Sequence, residues 1–186
     1  MSRNNISNSV IRRLPRYHRF LGELESSGYV RISSRELAEK MGLTASQIRQ
    51  DFNCFGEFGQ QGYGYNVSEL RAEIGRILGL DCPAPIILIG AGNLGRAIAS
   101  HIGFGKCGFE LIGELSVTEV SGLEEFCAAH HPQAAVLCIP KEAAEATVDR
   151  LIECGVRAFW NFTHYDLRLS HKDAAVENVH LGDSLT

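Results

Sequence analysis

The sequence lacks the features that would mark a membrane or secreted protein. No apolar run approaches the ~20 residues that a membrane-spanning helix needs, and residues 1–10 are polar, without the apolar core of a signal peptide. We therefore expect a cytoplasmic protein with no membrane partner. The six cysteines show no C-x-x-C spacing, which argues against a zinc site or a disulfide framework and predicts reduced, mostly buried thiols.

A catalytic constellation is also missing from the sequence. The seven histidines are scattered, and His101, His164 and His180 have no Ser, Cys or carboxylate partner at a suggestive spacing. We expect a protein that is not an enzyme and that holds no metal.

Positive charge is scarce overall but unevenly placed. The net charge of −4 by itself argues against a nucleic-acid partner. Residues 1–80, however, hold 11 Lys and Arg against 8 Asp and Glu, whereas residues 81–186 hold 7 against 14. Five arginines precede the first acidic residue, Glu23. This asymmetry indicates that the N-terminal part faces a polyanion.

Residues 79–85, Gly-Leu-Asp-Cys-Pro-Ala-Pro, separate two kinds of pattern. The two prolines and the glycine interrupt helical periodicity. Residues 1–80 indicate helices and one glycine-rich hairpin, whereas residues 85–186 alternate apolar runs with helical patterns, which is typical of a parallel sheet covered on both faces. The predicted strands are 86–89, 110–115, 135–139, 158–161 and 175–179, and the predicted helices are 94–100, 123–129, 142–154 and 167–172.

Two consecutive segments of the N-terminal part have the form of capped helices. Ser33 and Glu36 form a capping box at the start of the first, and Gly42 suits the left-handed residue that ends it. Thr44 and Gln47 form a second capping box. Two capped helices joined by a glycine turn predict a DNA-binding helix-turn-helix, although an ordinary helical hairpin is the alternative.

The second of these helices would enter the major groove. Gln and Asn can pair with adenine, and Arg with guanine or phosphate. The polar candidates on this helix are Ser46, Gln47, Arg49, Gln50 and Asn53. The glycine-rich residues 58–65 predict a tight hairpin that serves as a wing, with Gln60 and Gln61 at its tip. Arg12, Arg13 and Arg16 are the candidates for holding phosphates.

The segment after predicted strand 86–89 has the dinucleotide-binding pattern G-x-G-x-x-G. Its residues are Gly90, Ala91, Gly92, Asn93, Leu94 and Gly95. In this context the first glycine makes the turn, the second lets a pyrophosphate approach, and the third permits close helix packing. An acid about 20 residues further on would bind the adenosine ribose. Glu114 is the candidate, and a surface carboxylate is the alternative.

Taken together, these motifs resemble the Rex family of bacterial redox-sensing repressors, over residues 10–181. The resemblance depends on Ile11-Arg12-Arg13-Leu14-Pro15, residues 33–42, Gln47–Phe52, Phe55-Gly56-Glu57-Phe58-Gly59, Gly62-Tyr63-Gly64-Tyr65, Gly90–Ala97, Ile139-Pro140 and Asn161-Phe162. It implies an α/β protein with a winged helix-turn-helix domain at 1–80 and a Rossmann-like domain for dinucleotide binding and dimerisation at 85–186. It further implies a homodimer on a palindromic double-stranded operator. NAD+ would permit DNA binding, whereas NADH would rotate the subunits and release the DNA. Pro140 would lie near the cofactor.

Several positions depart from that family's pattern. Ser116 stands where the family has the ribose-binding Asp, so that only Glu114 could substitute, and about a dozen residues are missing between 117 and 123. Histidines replace a Tyr, a Pro and an Asp at positions 101, 164 and 180. Gln50, Gln60 and Gln61 replace basic residues.

Three hypotheses follow from the sequence. The first is a Rex-type repressor whose operator binding depends on the NADH/NAD+ ratio. The second is a DNA-binding paralogue that has lost NAD(H) sensing, which Ser116, His101 and His180 favour. The third is a small NAD-dependent oxidoreductase, which the missing acid–base pair disfavours.

Overall fold

The computed structural model describes residues 7–56, 63–116, 122–180 and 182. The chain divides into two compact units, Met1–Asp81 and Cys82–Thr186. No described helix combines the length and the apolar character that crossing a membrane requires.

The first unit is built mainly from helices. Its elements are α1 (Asn8–Ile11), α2 (Leu14–Ser26), β1 (Arg31–Ile32), α3 (Ser34–Met41), α4 (Ala45–Asn53), β2 (Tyr65–Asn66) and α5 (Val67–Ile77). Each of the four longer helices contributes one apolar stripe to a common core, as Leu21, Leu37, Ile48 and Ile74 illustrate. The helical N-terminal unit predicted from the sequence is therefore confirmed.

The junction between α3 and α4 forms for the predicted reasons, with one exception. The Ser33 hydroxyl accepts a hydrogen bond from the Glu36 amide, and the Glu36 carboxylate accepts one from the Ser33 amide. Gly42 is left-handed, with φ 66°. The Thr44 hydroxyl caps α4 by accepting from the Gln47 amide. The reciprocal half of the second capping box was predicted wrongly, because the Gln47 side chain turns to a different partner.

Strand β1 pairs antiparallel with β2, a long-range contact that the sequence did not predict. Ile32 lies opposite Tyr65, and Arg31 opposite Asn66. Gly64, directly before β2, has φ 71°, and a Cβ there would lie 2.6 Å from the Ile32 carbonyl oxygen. Only glycine fits this close approach. Of the predicted hairpin at 58–65, residues 58–62, which include Gln60 and Gln61, lie outside the described residues.

The second unit carries one parallel sheet. Its elements are β3 (Ala84–Ile89), α6 (Asn93–His101), a 3-10 helix (Phe104–Cys107), β4 (Phe109–Leu115), α7 (Leu123–His130), β5 (Ala134–Leu137), α8 (Lys141–Glu153), β6 (Ala158–Asn161), α9 (Leu167–Ser170) and β7 (Ala175–Asn178). The bounds of the five strands and four α-helices fall within two residues of the predicted ones, whereas the 3-10 helix was not predicted. The α/β class of this unit is confirmed.

The strand order β4-β3-β5-β6-β7 reverses direction at β3. Alternate β3 side chains enter two cores, because neighbouring residues of a strand face opposite ways. Ile87 packs with Leu123 of α7 and Val148 of α8, whereas Leu88 packs with Ile98 of α6. In such a sheet, ligands bind where the order reverses, at the carboxyl ends of the strands. The topology therefore points to the edge that follows β3.

The cysteines were predicted to be mostly buried, and this was wrong for half of them. All six are free thiols. Cys54, Cys82 and Cys107 are exposed, and only Cys127 is fully buried. The exposed three lie at or near the ends of elements, where an apolar pattern in the sequence does not ensure packing.

The cap of α3 gives a first testable prediction. Replacing Ser33 by Ala removes the acceptor for the Glu36 amide and should lower the free energy of unfolding by ~1 kcal/mol. Ser46→Ala, on the exposed side of α4, is the matched control and should change it by less than ~0.5 kcal/mol. Urea unfolding followed by circular dichroism measures both. Equal effects would mean that the cap does not stabilise the unit.

Candidate DNA-binding and dinucleotide-binding sites

Helix α4 presents one polar stripe to solvent. Ser46, Arg49, Gln50 and Asn53 are exposed, and their spacing places them on one helical face. The opposite face, with Ile48 and the residues around it, is buried in the core. The structure thus brings four of the five predicted α4 candidates together. Gln47, the fifth, is only partly exposed.

The three predicted phosphate-binding arginines have different surroundings. Arg12 is exposed. The Arg16 guanidinium donates to the Met41 carbonyl oxygen at 2.7 Å, and so closes the C-terminal end of α3. Arg13 points toward α4, where its Nε and Nη2 atoms donate to the two carboxylate oxygens of Asp51 at 2.7 and 2.8 Å. Contacts of these residues with phosphate remain predictions.

Asp51 is a residue of this region that the sequence reasoning missed. It lies on α4 with none of its surface exposed. It accepts hydrogen bonds from Arg13, from the Tyr17 hydroxyl at 2.7 Å and from the side-chain amide of Gln47 at 2.8 Å. A signal was available, because position 51 follows Ile48 by three residues and so falls on the buried stripe. A carboxylate there requires a cationic partner.

The glycines of the predicted fingerprint have separable roles. A Cβ at Gly90, which has φ 106°, would lie 2.3 Å from the Cys138 carbonyl oxygen, and one at Gly95 would lie 2.0 Å from the Gly90 carbonyl oxygen. Both positions therefore require glycine for packing of the chain itself. A Cβ at Gly92 would meet nothing within 4 Å. The open space at Gly92 lies at the start of α6, where an anion is stabilised by backbone amides and the helix dipole.

Three strand ends meet at this turn. The Gly90 amide donates to the Leu115 carbonyl oxygen at 2.7 Å, which sets Ser116 beside the turn. The Cys138 amide donates to the Ile89 carbonyl oxygen at 2.8 Å, and Pro140 immediately precedes α8. Burial raises the pKa of the Cys138 thiol to about 11, so that this thiol is neutral beside the turn. The predicted cofactor-binding residues from three segments are thus close in space.

Glu114 occupies a different position from Ser116. It lies within β4, opposite Leu88 of β3, and its side chain is exposed. Ser116 follows the strand and is partly buried. The structure therefore places the serine, rather than the acid, at the end of the strand, where a ribose-binding acid is normally found.

The histidines at two of the departing positions lie together. The rings of His164 and His180 stack, with centroids 6.1 Å apart and planes 10° apart. Nearby, the Asn161 side chain joins the ends of β6 and β7 by donating to the Asn178 side chain at 2.9 Å. The sequence treated these histidines as isolated residues. Their pairing depends on β6 and β7 being neighbours, which spacing along the chain does not reveal.

The fingerprint gives a second testable prediction. Gly95→Ala forces a Cβ against backbone and should lower the free energy of unfolding of the second unit by about 1–3 kcal/mol. Gly105→Ala, where a Cβ meets nothing within 4 Å, is the control and should have little effect. Denaturant unfolding followed by the fluorescence of Trp160, the one tryptophan, measures both. An unchanged Gly95→Ala protein would contradict the packing role of this glycine.

Two separate regions of the chain match known protein-family models. Residues 5–53 match the model described as "Putative DNA-binding protein N-terminus", and residues 81–165 match the model described as "CoA binding domain".

Full-length relatives are close in sequence. The chain is 53% identical to the redox-sensing transcriptional repressor Rex of Caldanaerobacter subterraneus subsp. tengcongensis, over 97% of this chain and 86% of that protein. It is 49% identical to the Rex repressor of Clostridioides difficile, over 100% of this chain and 94% of that protein.

Two solved structures are similar over nearly the whole chain. A crystal structure of RSP in complex with β-NAD+ and operator DNA has a TM-score of 0.91 and 52% identity, over 97% of this chain and 89% of that one. A crystal structure of RSP with β-NADH has a TM-score of 0.86 and 48% identity, over 98% and 91%.

Proposed function

Because the chain belongs to the Rex family of redox-sensing transcriptional repressors, we propose that it binds a palindromic operator and that NAD(H), bound at the Gly90–Gly95 turn, controls this binding. The observation that carries the proposal is the open space at Gly92, the one fingerprint glycine that packing of the described residues does not require. The exposed stripe of α4 supplies the surface for DNA.

Operator binding is assigned to the first unit. Ser46, Arg49, Gln50 and Asn53 would face the major groove, where Arg and amide side chains distinguish base pairs. Arg12 would contribute charge toward the phosphates. A homodimer would place two such helices on half-sites one helical turn, ~34 Å, or a multiple of it apart.

Dinucleotide binding is assigned to the second unit. Gly92 would face the pyrophosphate, with the start of α6 stabilising its charge. Ser116 and Pro140, on the neighbouring strand ends, would flank the cofactor. With Ser116 at the strand end, the ribose would receive a hydrogen bond from a hydroxyl rather than from a carboxylate, which weakens binding by roughly tenfold.

Control of DNA binding requires that the two redox forms of the cofactor differ in affinity for the DNA-binding state and the released state. The role is thus that of a regulator in the cytoplasm rather than an enzyme. The relatives quoted above are all named as repressors, in line with this role.

Arg49 provides the test of DNA binding. The Arg49 guanidinium lies on the exposed stripe, donating to the Ser34 hydroxyl at 3.1 Å. Arg49→Ala should weaken operator affinity by roughly 5- to 150-fold, the range for loss of one specific base contact. Gel-shift titration at fixed salt measures this. Arg76→Ala on α5, where Arg76 pairs with Glu73, is the charge-matched control. A similar loss in both proteins would indicate a general charge effect and would remove α4 as the base-contacting helix.

Gly92 provides the test of cofactor binding. A Val side chain at position 92 fills the open space, so Gly92→Val should weaken NADH binding by more than ~10-fold while leaving operator affinity without cofactor unchanged. Isothermal calorimetry with NADH, together with the gel shift, measures both. Gly105→Val, also at an open position, is the control. Absence of saturable heat with the unmodified protein would instead favour the paralogue that has lost NAD(H) sensing.

A further inference from the structure

We propose that Asp51 determines the base preference of helix α4 by holding the Gln47 side chain with its amide oxygen directed at a base amino group. This inference rests on the proposed operator binding. It makes Asp51 and Arg13 positioning residues and adds Gln47 to the α4 residues that contact DNA.

The Asp51 carboxylate is fully occupied by donors. Its Oδ1 accepts from Arg13 Nη2 and from Gln47 Nε2, both at 2.8 Å, and its Oδ2 accepts from Arg13 Nε and from the Tyr17 hydroxyl, both at 2.7 Å. An ionised carboxylate offers about four acceptor sites. Each oxygen thus has two donors, and none of the residue's surface reaches solvent.

This carboxylate stays ionised despite its burial. Burial raises the pKa of Asp51. The hydrogen bonds from Arg13, Tyr17 and Gln47 together lower it by more than burial raises it, so that the pKa lies below the ordinary value. The hydrogen bonding between Arg13 and Asp51 also raises the pKa of Arg13. Asp51 is therefore a pure acceptor at neutral pH.

An acceptor at this point fixes which way the Gln47 amide faces. Its NH2 group must lie toward Asp51, because its oxygen would be repelled there. The oxygen is then on the other side of the planar amide. Gln47 is the third residue of α4, near the end that enters a groove, and it is partly exposed.

An outward oxygen selects a defined chemistry. In the major groove it can accept from the amino group of adenine (N6) or cytosine (N4). Guanine N7 and O6, thymine O4 and phosphate oxygens are themselves acceptors and cannot pair with it. Position 47 would therefore favour an adenine or a cytosine at one operator position, and the second N–H of the amide, which Asp51 does not accept, could add a bond to adenine N7. An unfixed amide could rotate and turn its NH2 group, rather than its oxygen, toward guanine or thymine.

Arg13 acquires a role that differs from the phosphate contact predicted from the sequence. Two of its three guanidinium nitrogens are bound to Asp51, and its side chain is 28% exposed. Its fork geometry holds both carboxylate oxygens at once, which a lysine cannot do. Arg13 on the N-terminal side of α2 is thereby tied to α4, 38 residues along the chain.

The experiment measures base preference at each operator position. The full chain first selects duplexes from a palindromic pool, and the selected duplex is then altered one base pair at a time. Dissociation constants are measured for the unmodified protein, for Gln47→Ala and for the double variant Arg13→Met/Asp51→Leu, which removes both charges. Gln50→Ala, the same residue type on the same helix but not bonded to Asp51, is the matched control.

Gln47→Ala and the double variant should both lose preference at the same A·T or C·G pair, where the unmodified protein discriminates by roughly 5- to 150-fold. A single Asp51→Asn change would not serve, because Arg13 donates to both carboxylate oxygens and an asparagine could keep its oxygen toward Gln47 while its NH2 group faces Arg13 and Tyr17. Gln50→Ala removes a different candidate base contact and should keep the preference at that pair. If the double variant unfolds, Arg13→Leu/Asp51→Met, which places other apolar side chains at the same two positions, takes its place.

Retention of every base preference by Gln47→Ala would overturn the inference, as would loss of preference at different pairs in the two variants. A uniform loss of affinity at all positions in the double variant would also overturn it, because a merely structural residue behaves in that way. If the unmodified protein selects no duplex, the proposed operator binding itself fails, which the first step of the experiment shows separately.

Discussion

The first unit depends on keeping one negative charge stable in an apolar interior. Asp51 lies beside Ile48 and Phe52 in the core, where an isolated carboxylate would cost several kcal/mol. Donors from α2, from α4 and from the residue preceding α2 offset that cost. Because a buried charge tolerates little misalignment of its partners, this requirement fixes how α4 sits on α2 more tightly than apolar contacts alone, which accept many packings of similar energy.

The second unit depends on a different constraint, the close approach of backbone to backbone. The turn after β3 contacts the carbonyl of Cys138, and α6 contacts the turn, so that neither Gly90 nor Gly95 can carry a side chain. These contacts hold the start of α6 against the carboxyl edge of the sheet. The geometry suited to an anion is thus a product of packing that exists before any ligand arrives.

The features that could be predicted from the sequence are those encoded locally. Capping residues, the glycine turn at 42 and the alternation of apolar runs with helical patterns each report on their own neighbourhood. The strands and α-helices of the second unit were predicted to within two residues. Long-range partners were not predictable in this way. The Arg13–Asp51 pair, the β1–β2 pairing and the stacking of His164 on His180 join distant positions, and Gln47 left its predicted capping role because Asp51 competes for it.

The glycine turn divides its three glycines between two kinds of selection. Substitution at position 90 or 95 destabilises the folded protein, so natural selection acts against it whether or not a ligand binds. A Cβ at position 92 meets nothing within 4 Å, so a substitution there leaves the fold of the unit intact and, under the proposed function, alters only dinucleotide binding. A lineage can therefore abandon or exchange its small-molecule signal by a single change while retaining a stable domain, and descendants with identical architecture can differ in what they sense.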